Sequence, residues 1–586
     1  RLGRFGENYG RYLLESIRKC EAHLILTGSG EVLSKAVPEY KLEHRKAEKL
    51  TESQQRLYRE YQRFLESKEK ILIIRGGRGR GKTYMLGYLA VDLVLRYRLP
   101  LLDVYTPEGR LPPSFIAGAE QALYEKVSTR PVVTPRKVET YEFTIRCKKP
   151  YERTETPIIL VDEAGRIGIA RIRKFLSRSY KVILALTTFG YEGCGRAFEH
   201  LLVSELQKHG LSTSVELQEP VRYAEGDPLE RWLNETFFLK TETTLRDYHV
   251  RAQVKFDEVK FEEICRDRLA ADPELLKQIV TILRDAHYRY MPDDVEVLLD
   301  SPHHRLFALV REGEVLGVAQ IRVEKPTKTE IRKAVHGTVL AGLSMSTILA
   351  RYSSLSVGSI TVWRVHRIAV KPQYQRQGLG SLLLRKIEEV AFKEKVDLIG
   401  ALYSRTEVTR FWLKNGYKVF YISPRFNRVT GEYNIGVAKA LTEKGQHILK
   451  LALQDFKRRL ILLASSVYRD LDGELLADIL MNLDVTCPTK IGVPSLAQRR
   501  LDIFVRNADK YDVEYIQDVL YTKLVEYLTT SEVVKIPQRE FIALVIKVLQ
   551  GKSIKEVAAS LKVGLETARK ILKRAALYLI APEHAV

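Results

Sequence analysis

Apolar positions recur at helical spacing in TESQQRLYREYQRFLES (51–67), where Leu57, Tyr61 and Phe64 share a face, and this predicts a helix. The apolar run Ile71 to Ile74 follows, and helical periodicity resumes from Met85 to Leu95 after a Gly-rich loop. Two further runs, Ile158 to Val161 and Val182 to Leu186, have the length of buried strands and end in Asp162-Glu163 and Thr187-Thr188. Continuous apolar strands separated by helices predict a parallel α/β sheet over 71–240. Near residue 275 the pattern changes. A helix from Leu275 to Tyr288, the alternating stretch RLFALV, the turn Arg311-Glu312-Gly313-Glu314 and the strand VLGVAQI predict a helix followed by a hairpin. A strand from Trp363 to Val370, a helix from Ser381 to Lys393 and a strand from Leu398 to Leu402 make 275–441 a second α/β unit. Helical patterns dominate from 442 onward, and residues 1–70 are charged and mostly helical in pattern.

The chain has 586 residues, too many for one core and enough for three to five domains. With 45% hydrophobic and 29% charged residues, it is neither disordered nor a fibrous repeat. The five cysteines (Cys20, Cys147, Cys194, Cys265, Cys487) form no CxxC pair, which argues against a zinc knuckle or a disulfide framework. No apolar run reaches the length of a membrane span and no signal peptide opens the chain, so the expectation is a cytoplasmic protein without a membrane partner. It begins with Arg1 rather than Met, as a fragment or trimmed protein would. The net charge of +22 is spread along the chain and makes nucleic acid the leading partner class.

Gly76-Gly77-Arg78-Gly79-Arg80-Gly81-Lys82-Thr83 fits G-x-x-x-x-G-K-[ST] between a strand and a helix, the context of a phosphate-binding loop. Glycines let backbone N–H groups curl round phosphate oxygens, Lys82 reaches the outer phosphates and Thr83 can ligate magnesium. Asp162 at the next strand end can hold the magnesium shell, and Glu163 beside it can position or activate water. Thr187-Thr188 could sense the outermost phosphate. Gln54 could bond an adenine edge, although a solvated helix residue is its commoner role.

The segment Arg367 to Ser381 (RIAVKPQYQRQGLGS) is a strand, a basic Gly-rich loop and a helix start, hence a second anion cradle in which the N–H groups of Gln377 to Ser381 can face a pyrophosphate. The order strand, Q-x-x-G-x-G, amphipathic helix, strand, then Phe411-Trp412-Leu413-Lys414-Asn415-Gly416-Tyr417 resembles the GNAT acetyltransferase superfamily. Taken with GRGRGKT, TTFGYEGCGRAF (187–198), EPVRYAEGDPLERWL (219–233) and AHYRYMPDDVEVLLD (286–300), the chain resembles the tRNA(Met) cytidine acetyltransferase family. That resemblance implies an ATP-dependent RNA acetyltransferase that moves acetyl from acetyl-CoA to the N4 amine of cytidine in tRNA, at the wobble cytidine of elongator tRNA(Met). It implies ATP, Mg and acetyl-CoA as cofactors and tRNA or other RNAs as partners. It implies an α/β multidomain fold: a helical remnant (1–55), a helicase-like P-loop ATPase domain (56–245), a GNAT domain (246–441) and a helical tRNA-binding tail (442–586).

Residue by residue, the resemblance implies that Gln54, the loop 76–83 and Arg222 contact ATP. Ile368, Ala369 and Val370 would pair with the pantetheine arm; Gln375, Arg376, Gln377, Gly378, Leu379, Gly380 and Ser381 would hold the pyrophosphate; Glu407 and Arg410 would lie near CoA. Lys371 stands where the family commonly carries a His considered as general base. A lysine titrates near 10.4 in water and needs strong desolvation to act so, which leaves phosphate positioning as the other role for Lys371.

In the tail, Lys552 to Arg574 has helix-turn-helix spacing around Val563-Gly564 with seven basic and two acidic residues, which suggests RNA phosphate contact or a packed helical hairpin. Lys457 to Arg459 and Gln498 to Arg500 are weaker RNA-contact candidates. Two other functions fit the same motifs: an RNA helicase or ATPase whose GNAT module only docks, and a protein lysine acetyltransferase with RNA as a partner.

Overall fold

The computed structural model describes residues 7–20, 22–26, 31–36, 50–127, 130–187, 210–239, 252–286, 293–335, 344–352, 360–427, 430–487, 495–506, 513–530 and 536–581. The strands in chain order are β1 (His23–Leu26), β2 (Val32–Ala36), β3 (Ile71–Gly76), β4 (Leu101–Tyr105), β5 (Val132–Thr134), β6 (Lys137–Glu139), β7 (Thr144–Lys148), β8 (Ile158–Val161), β9 (Lys181–Thr187), β10 (Ser212–Leu217), β11 (Lys260–Glu263), β12 (His304–Arg311), β13 (Glu314–Glu324), β14 (Val362–Val370), β15 (Leu398–Tyr403), β16 (Lys418–Phe426) and β17 (Tyr433–Ala440). The chain divides into two units, residues 1–320, 367–383 and 428–431, and residues 321–366, 384–427 and 432–586.

In the first unit an eight-stranded sheet has the order β10-β3-β9-β8-β4-β7-β6-β5. Its first six strands run parallel, and β6 and β5 add antiparallel. Alternation splits the core into two layers. Leu72 and Ile74 of β3 pack with Met85, Leu86 and Phe115 on one side; Ile71 and Ile73 pack with Tyr105, Val161 and Phe175 on the other. Leu57, Tyr61 and Phe64 of the helix Glu52–Glu66 are buried as their spacing predicted, and Thr51 and Gln54 close its start with a capping box.

The helices Lys82–Tyr97 and Pro113–Lys126 cross at two glycines. A Cβ on Gly87 would lie 1.9 Å from the Phe115 carbonyl oxygen and one on Gly118 would lie 2.0 Å from that of Tyr84, so only glycine permits this backbone approach. The first seventy residues depart from the helical expectation: β1 and β2 form an antiparallel pair, because His23 to Leu26 alternates half-buried and exposed positions with a period of two.

Also in this unit, β11 pairs antiparallel with β12, and β13 follows β12 in the sheet. The connection has positive φ at both Glu312 (49°) and Gly313 (82°), the backbone of a tight two-residue hairpin turn. The helices Pro273–Ala286 and Asp293–Asp300 cover this sheet through Leu276, Ile279, Leu299 and neighbours.

In the second unit, which holds residues 362–366 of β14 while 367–370 belong to the first, the strand order is β14-β15-β17-β16, with β14 parallel to β15 and the other pairs antiparallel. Every described element after β17 is helical, from Glu443–Leu463 to Leu565–Ile580. The predicted helix-turn-helix is present. Ile554–Leu561 starts at a Ser553/Glu556 capping box and ends at Lys562 in the left-handed conformation, and Leu565–Ile580 starts after Gly564. Lys457 is a correction to the expectation of RNA contact, because its ammonium is buried and donates to the carbonyls of Leu483 and Val485. Arg459 pairs with Asp455 and lies over the Tyr352 ring, Arg500 pairs with Asp518, and the Gln498 side chain falls outside the described residues.

Gly87→Ala is expected to lower stability by about 1–3 kcal/mol, since the added methyl must push two helix backbones apart. A thermal melt with an unchanged midpoint would contradict the glycine crossing.

Candidate functional site

Parallel pairing brings the carboxyl ends of four strands to one edge. Gly76 of β3 lies opposite Leu217 of β10 on one side and Thr187 of β9 on the other, and Val161 of β8 lies opposite Leu184 of β9. The loop 77–81 and the helix Lys82–Tyr97 begin at this edge. Gly79 (φ 77°) and Gly81 (φ 82°) take left-handed backbone, and each sits where a side chain would collide: a Cβ would lie 2.9 Å from the Arg222 Cβ or 2.4 Å from the Gln54 amide nitrogen. The loop is a cradle that only glycine can form.

Thr83 Oγ1 donates to Asp162, 3.1 and 3.0 Å from its two carboxylate oxygens, so the two predicted magnesium ligands already face each other. The carboxylate is buried and also accepts from the Glu163 N–H at 3.0 Å. Lys82 Nζ donates to the carbonyls of Gly76 (2.9 Å) and Gly77 (2.7 Å), folded back over its own loop. The donor set and the glycine backbone fit a nucleoside triphosphate with its magnesium. Glu163 has left-handed backbone (φ 47°) and pairs with Arg166 at 2.6 Å. Thr187 is buried beside Gly76, whereas Thr188 and residues 189–198 of TTFGYEGCGRAF lie outside the described residues.

Arg222 reaches this site through backbone. The N–H groups of Val221 and Arg222 donate to the Gly79 carbonyl at 2.8 and 3.1 Å. Glu219, just after β10, accepts from Ser53 N–H at 3.1 Å, from Thr51 Oγ1 at 3.1 Å and from Ser53 Oγ, which ties the start of the helix Glu52–Glu66 to the same loop. Burial opposes the charge on Glu219, but these hydrogen bonds prevail and hold it below the usual carboxylate range. Arg80 donates to the Arg78 carbonyl at 3.4 Å and pairs with Glu230 of the helix Pro228–Thr236 at 2.7 Å. Sequence reasoning missed Glu219 and Glu230, although both lie inside the EPVRYAEGDPLERWL segment it singled out.

The second cradle follows β14, which pairs with β15 from Val362 to Val365 and runs on through Ile368, Ala369 and Val370. Arg376 (φ 63°) and Gly378 (φ 94°) turn the loop into the helix Leu379–Lys393, whose first-turn amides, Leu379, Gly380 and Ser381 included, have no carbonyl within the helix to bond. The side chains of the loop are used internally. Gln375 donates to the Val370 carbonyl at 2.9 Å, and Gln377 donates to the Ala252 carbonyl at 2.7 Å while accepting from Val254 N–H at 3.1 Å. Phe256 covers Gly378, with its ring edge 3.3 Å from where a Cβ would stand. The 252–256 segment was not read from sequence, for it carries no motif.

Lys371 Nζ donates to Glu314 at 2.8 Å, and Tyr374 OH donates to the other Glu314 oxygen at 2.9 Å. Arg311 lies 3.3 Å from the Tyr374 hydroxyl. Burial pushes Glu314 up, yet the bonds from Lys371 and Tyr374 and the neighbouring cations bring it below its ordinary range. The hydrogen bond from Lys371 to Glu314 fastens the end of β14 to the hairpin. In the second unit Glu407 pairs with Arg405, and Arg410 pairs with Asp478 (2.8 Å) and Glu474 (3.0 Å) of the helix Gly473–Met481. Among the described residues no His, Cys, Asp and Glu cluster could hold a metal, and no helix is long and apolar enough to cross a membrane.

Two family models match: RNA cytidine acetyltransferase NAT10/TcmA, helicase domain, over residues 73–240, and GNAT acetyltransferase 2 over residues 278–393. The chain is 36% identical to the tRNA(Met) cytidine acetyltransferase TmcA of Aeropyrum pernix, covering 87% of this chain and 69% of that one. It is 30% identical to the proteins of the same name from Methanopyrus kandleri (87% of this chain, 61% of that one) and Thermococcus kodakarensis (84% and 62%). The chain thus spans between three fifths and seven tenths of these relatives' lengths.

Because Glu314 is held below its unfolded value, its contribution to stability is full above the ordinary carboxylate range and is lost as pH falls through the folded value. Glu314→Gln is therefore expected to lose less stability than the parent chain between pH 6 and pH 3. Parallel pH dependences in thermal melts would refute this.

Proposed function

The chain belongs to the tRNA(Met) cytidine acetyltransferase TmcA family, and from that premise we propose that it acetylates cytidine N4 in tRNA, with acetyl-CoA as donor and with ATP turnover. The observation that carries this reading is the presence in one chain of two backbone cradles, the glycine loop with its facing Thr83 and Asp162, and the loop 375–381 that follows β14. We assign a helicase-like ATPase domain to 56–245, a GNAT domain to 246–441, a tRNA-binding tail to 442–586 and a cytoplasmic location. The wobble cytidine of elongator tRNA(Met) is the proposed target.

In the ATPase domain, the amides of 77–81 and Lys82 would receive the phosphates, with the Lys82 ammonium leaving the carbonyls of Gly76 and Gly77 for them. Thr83 and Asp162 would hold magnesium, Glu163 would orient water, and Gln54 and Arg222, both set against the loop, would contact the nucleotide. In the GNAT domain, the backbone of 368–370 would align the pantetheine arm and the amides of 377–381 would hold the pyrophosphate. When bound, acetyl-CoA supplies an activated acyl group. The cytidine amine is conjugated into its ring and is a weak nucleophile, so placing it in line with that group is the chief task of the protein. Exposing a base in structured RNA costs a few kcal/mol, which an ATP-driven module can provide.

The tail would contribute cations. The helix Leu565–Ile580 buries Ala568, Ile571, Leu572 and Ala575 and exposes Lys570 together with Arg569, which pairs with Glu566, and Arg574, which pairs with Glu540, a cationic face that could turn to phosphates. Arg569→Ala/Lys570→Ala is expected to weaken tRNA binding and reduce the log-log salt slope by about 2; an unchanged slope would refute tail contact.

The decisive experiment incubates the protein with labelled acetyl-CoA and total tRNA, with and without ATP and magnesium, then digests the RNA. Acetylated cytidine is expected, and Lys82→Ala should remove its ATP dependence. Label on protein alone would favour lysine acetylation, and ATP turnover without any acetyl transfer would favour an RNA-dependent ATPase.

A further inference from the structure

Arg80 is a P-loop residue whose guanidinium donates both to the Arg78 carbonyl of the loop at 3.4 Å and to Glu230 outside it at 2.7 Å. Its partner, Glu230, lies on the helix Pro228–Thr236, and both side chains are largely buried, 11% and 20% exposed. The same helix is bonded on its far side to the helix Asn8–Arg18: Trp232 Nε1 donates to Ser16 Oγ at 3.2 Å and Tyr12 OH donates to the Thr236 carbonyl at 2.7 Å.

The helix Asn8–Arg18 has no side-chain cap of its own. Its first two amides, Asn8 and Tyr9, donate instead to the two carboxylate oxygens of Asp300 at 3.1 and 3.0 Å, and the Asn8 side chain donates to Asp267 at 3.0 Å. A charged cap supplied by another element fixes the end of a helix where its dipole favours an anion. Asp300 closes the helix Asp293–Asp300, and Asp294, in the first turn of that helix, pairs with Arg367 at 2.8 Å. Arg367 immediately precedes Ile368 on β14. Tyr9 and Tyr12 also pack against the apolar cluster that includes Leu299 and Ala369.

These contacts form one continuous route within the first unit, from Arg80 through three helices to the strand proposed to align the acyl carrier. Each step is a hydrogen bond or ion pair between rigid elements, the kind of connection that carries a displacement. We infer that the helix Asn8–Arg18 is a strut that couples occupancy of the P-loop to the acyl-carrier strand, with Glu230, Tyr12, Ser16, Asp300 and Asp294 as positioning residues. This inference rests on the nucleotide and acetyl-CoA sites proposed above. Coupling of this kind is reciprocal for binding, so each ligand must change the affinity of the other by the same factor.

The test titrates the full chain by calorimetry with a non-hydrolysable ATP analogue and magnesium, with and without saturating CoA, and then in the reverse order. The expected result is an affinity change of about fivefold or more, equal in the two orders. Tyr12→Phe/Ser16→Ala keeps the packing but deletes both bonds to the helix Pro228–Thr236; it should bring the factor to one while each ligand alone binds within about twofold of the parent. Asp294→Asn, at the other end of the route, should do the same. A parent protein that binds both ligands with a factor of one, or variants that retain the full factor, would overturn the strut and leave the functional reading standing. Failure to bind ATP analogue or CoA at all would overturn both.

Discussion

The parallel register of β10, β3, β9 and β8 is the constraint on which the nucleotide site depends. Parallel strands put their carboxyl ends on one side, so Leu217, Gly76, Thr187 and Val161 end near a common edge and the loops that follow them must converge. Groups from residues 54, 79, 83, 162 and 222 meet there only because β3 takes β10 and β9 as neighbours. The glycines then let other segments come close: the Val221 and Arg222 amides close on the Gly79 carbonyl where any Cβ would intrude.

Several cations in the segments singled out from sequence are paired with carboxylates. Arg80 is held by Glu230, Lys371 by Glu314, Arg367 by Asp294 and Arg410 by Asp478 and Glu474. Ion pairs removed from water add little net stability, because desolvation offsets attraction; what they add is a defined geometry. The +22 excess is a property of the whole chain, while Arg80, Arg367 and Lys371 beside the two cradles are each held by a carboxylate. The backbone of the loop 375–381 is held in place by Gln375, Gln377 and Phe256.

Buried strands, the two glycine loops and the helical tail were legible in the sequence because each is a local pattern: an apolar run, a spacing of glycines, a 3.6-residue period. Ten of the described strands were not singled out, β1, β2, β4, β7 and β10 among them. The strands β1 and β2 are short, and β4, β7 and β10 carry polar residues such as Asp103, Arg146 and Ser212 that interrupt an apolar run. Asp103 is tolerated in the sheet because Arg146 and Lys148 pair with it, a compensation from a neighbouring strand that no window of sequence contains.

The sequence by itself determined the chemistry available: which loops can bend round phosphate, which residues can hold magnesium, and which helices offer cations. The tertiary structure alone decided how those groups are used. Glu230 lies 150 residues from Arg80, Glu314 lies 57 from Lys371 and Asp300 lies 291 from Tyr9. The physical reason is that charge pairing and capping depend on distance in space, which the packing of sheets and helices sets and residue order does not.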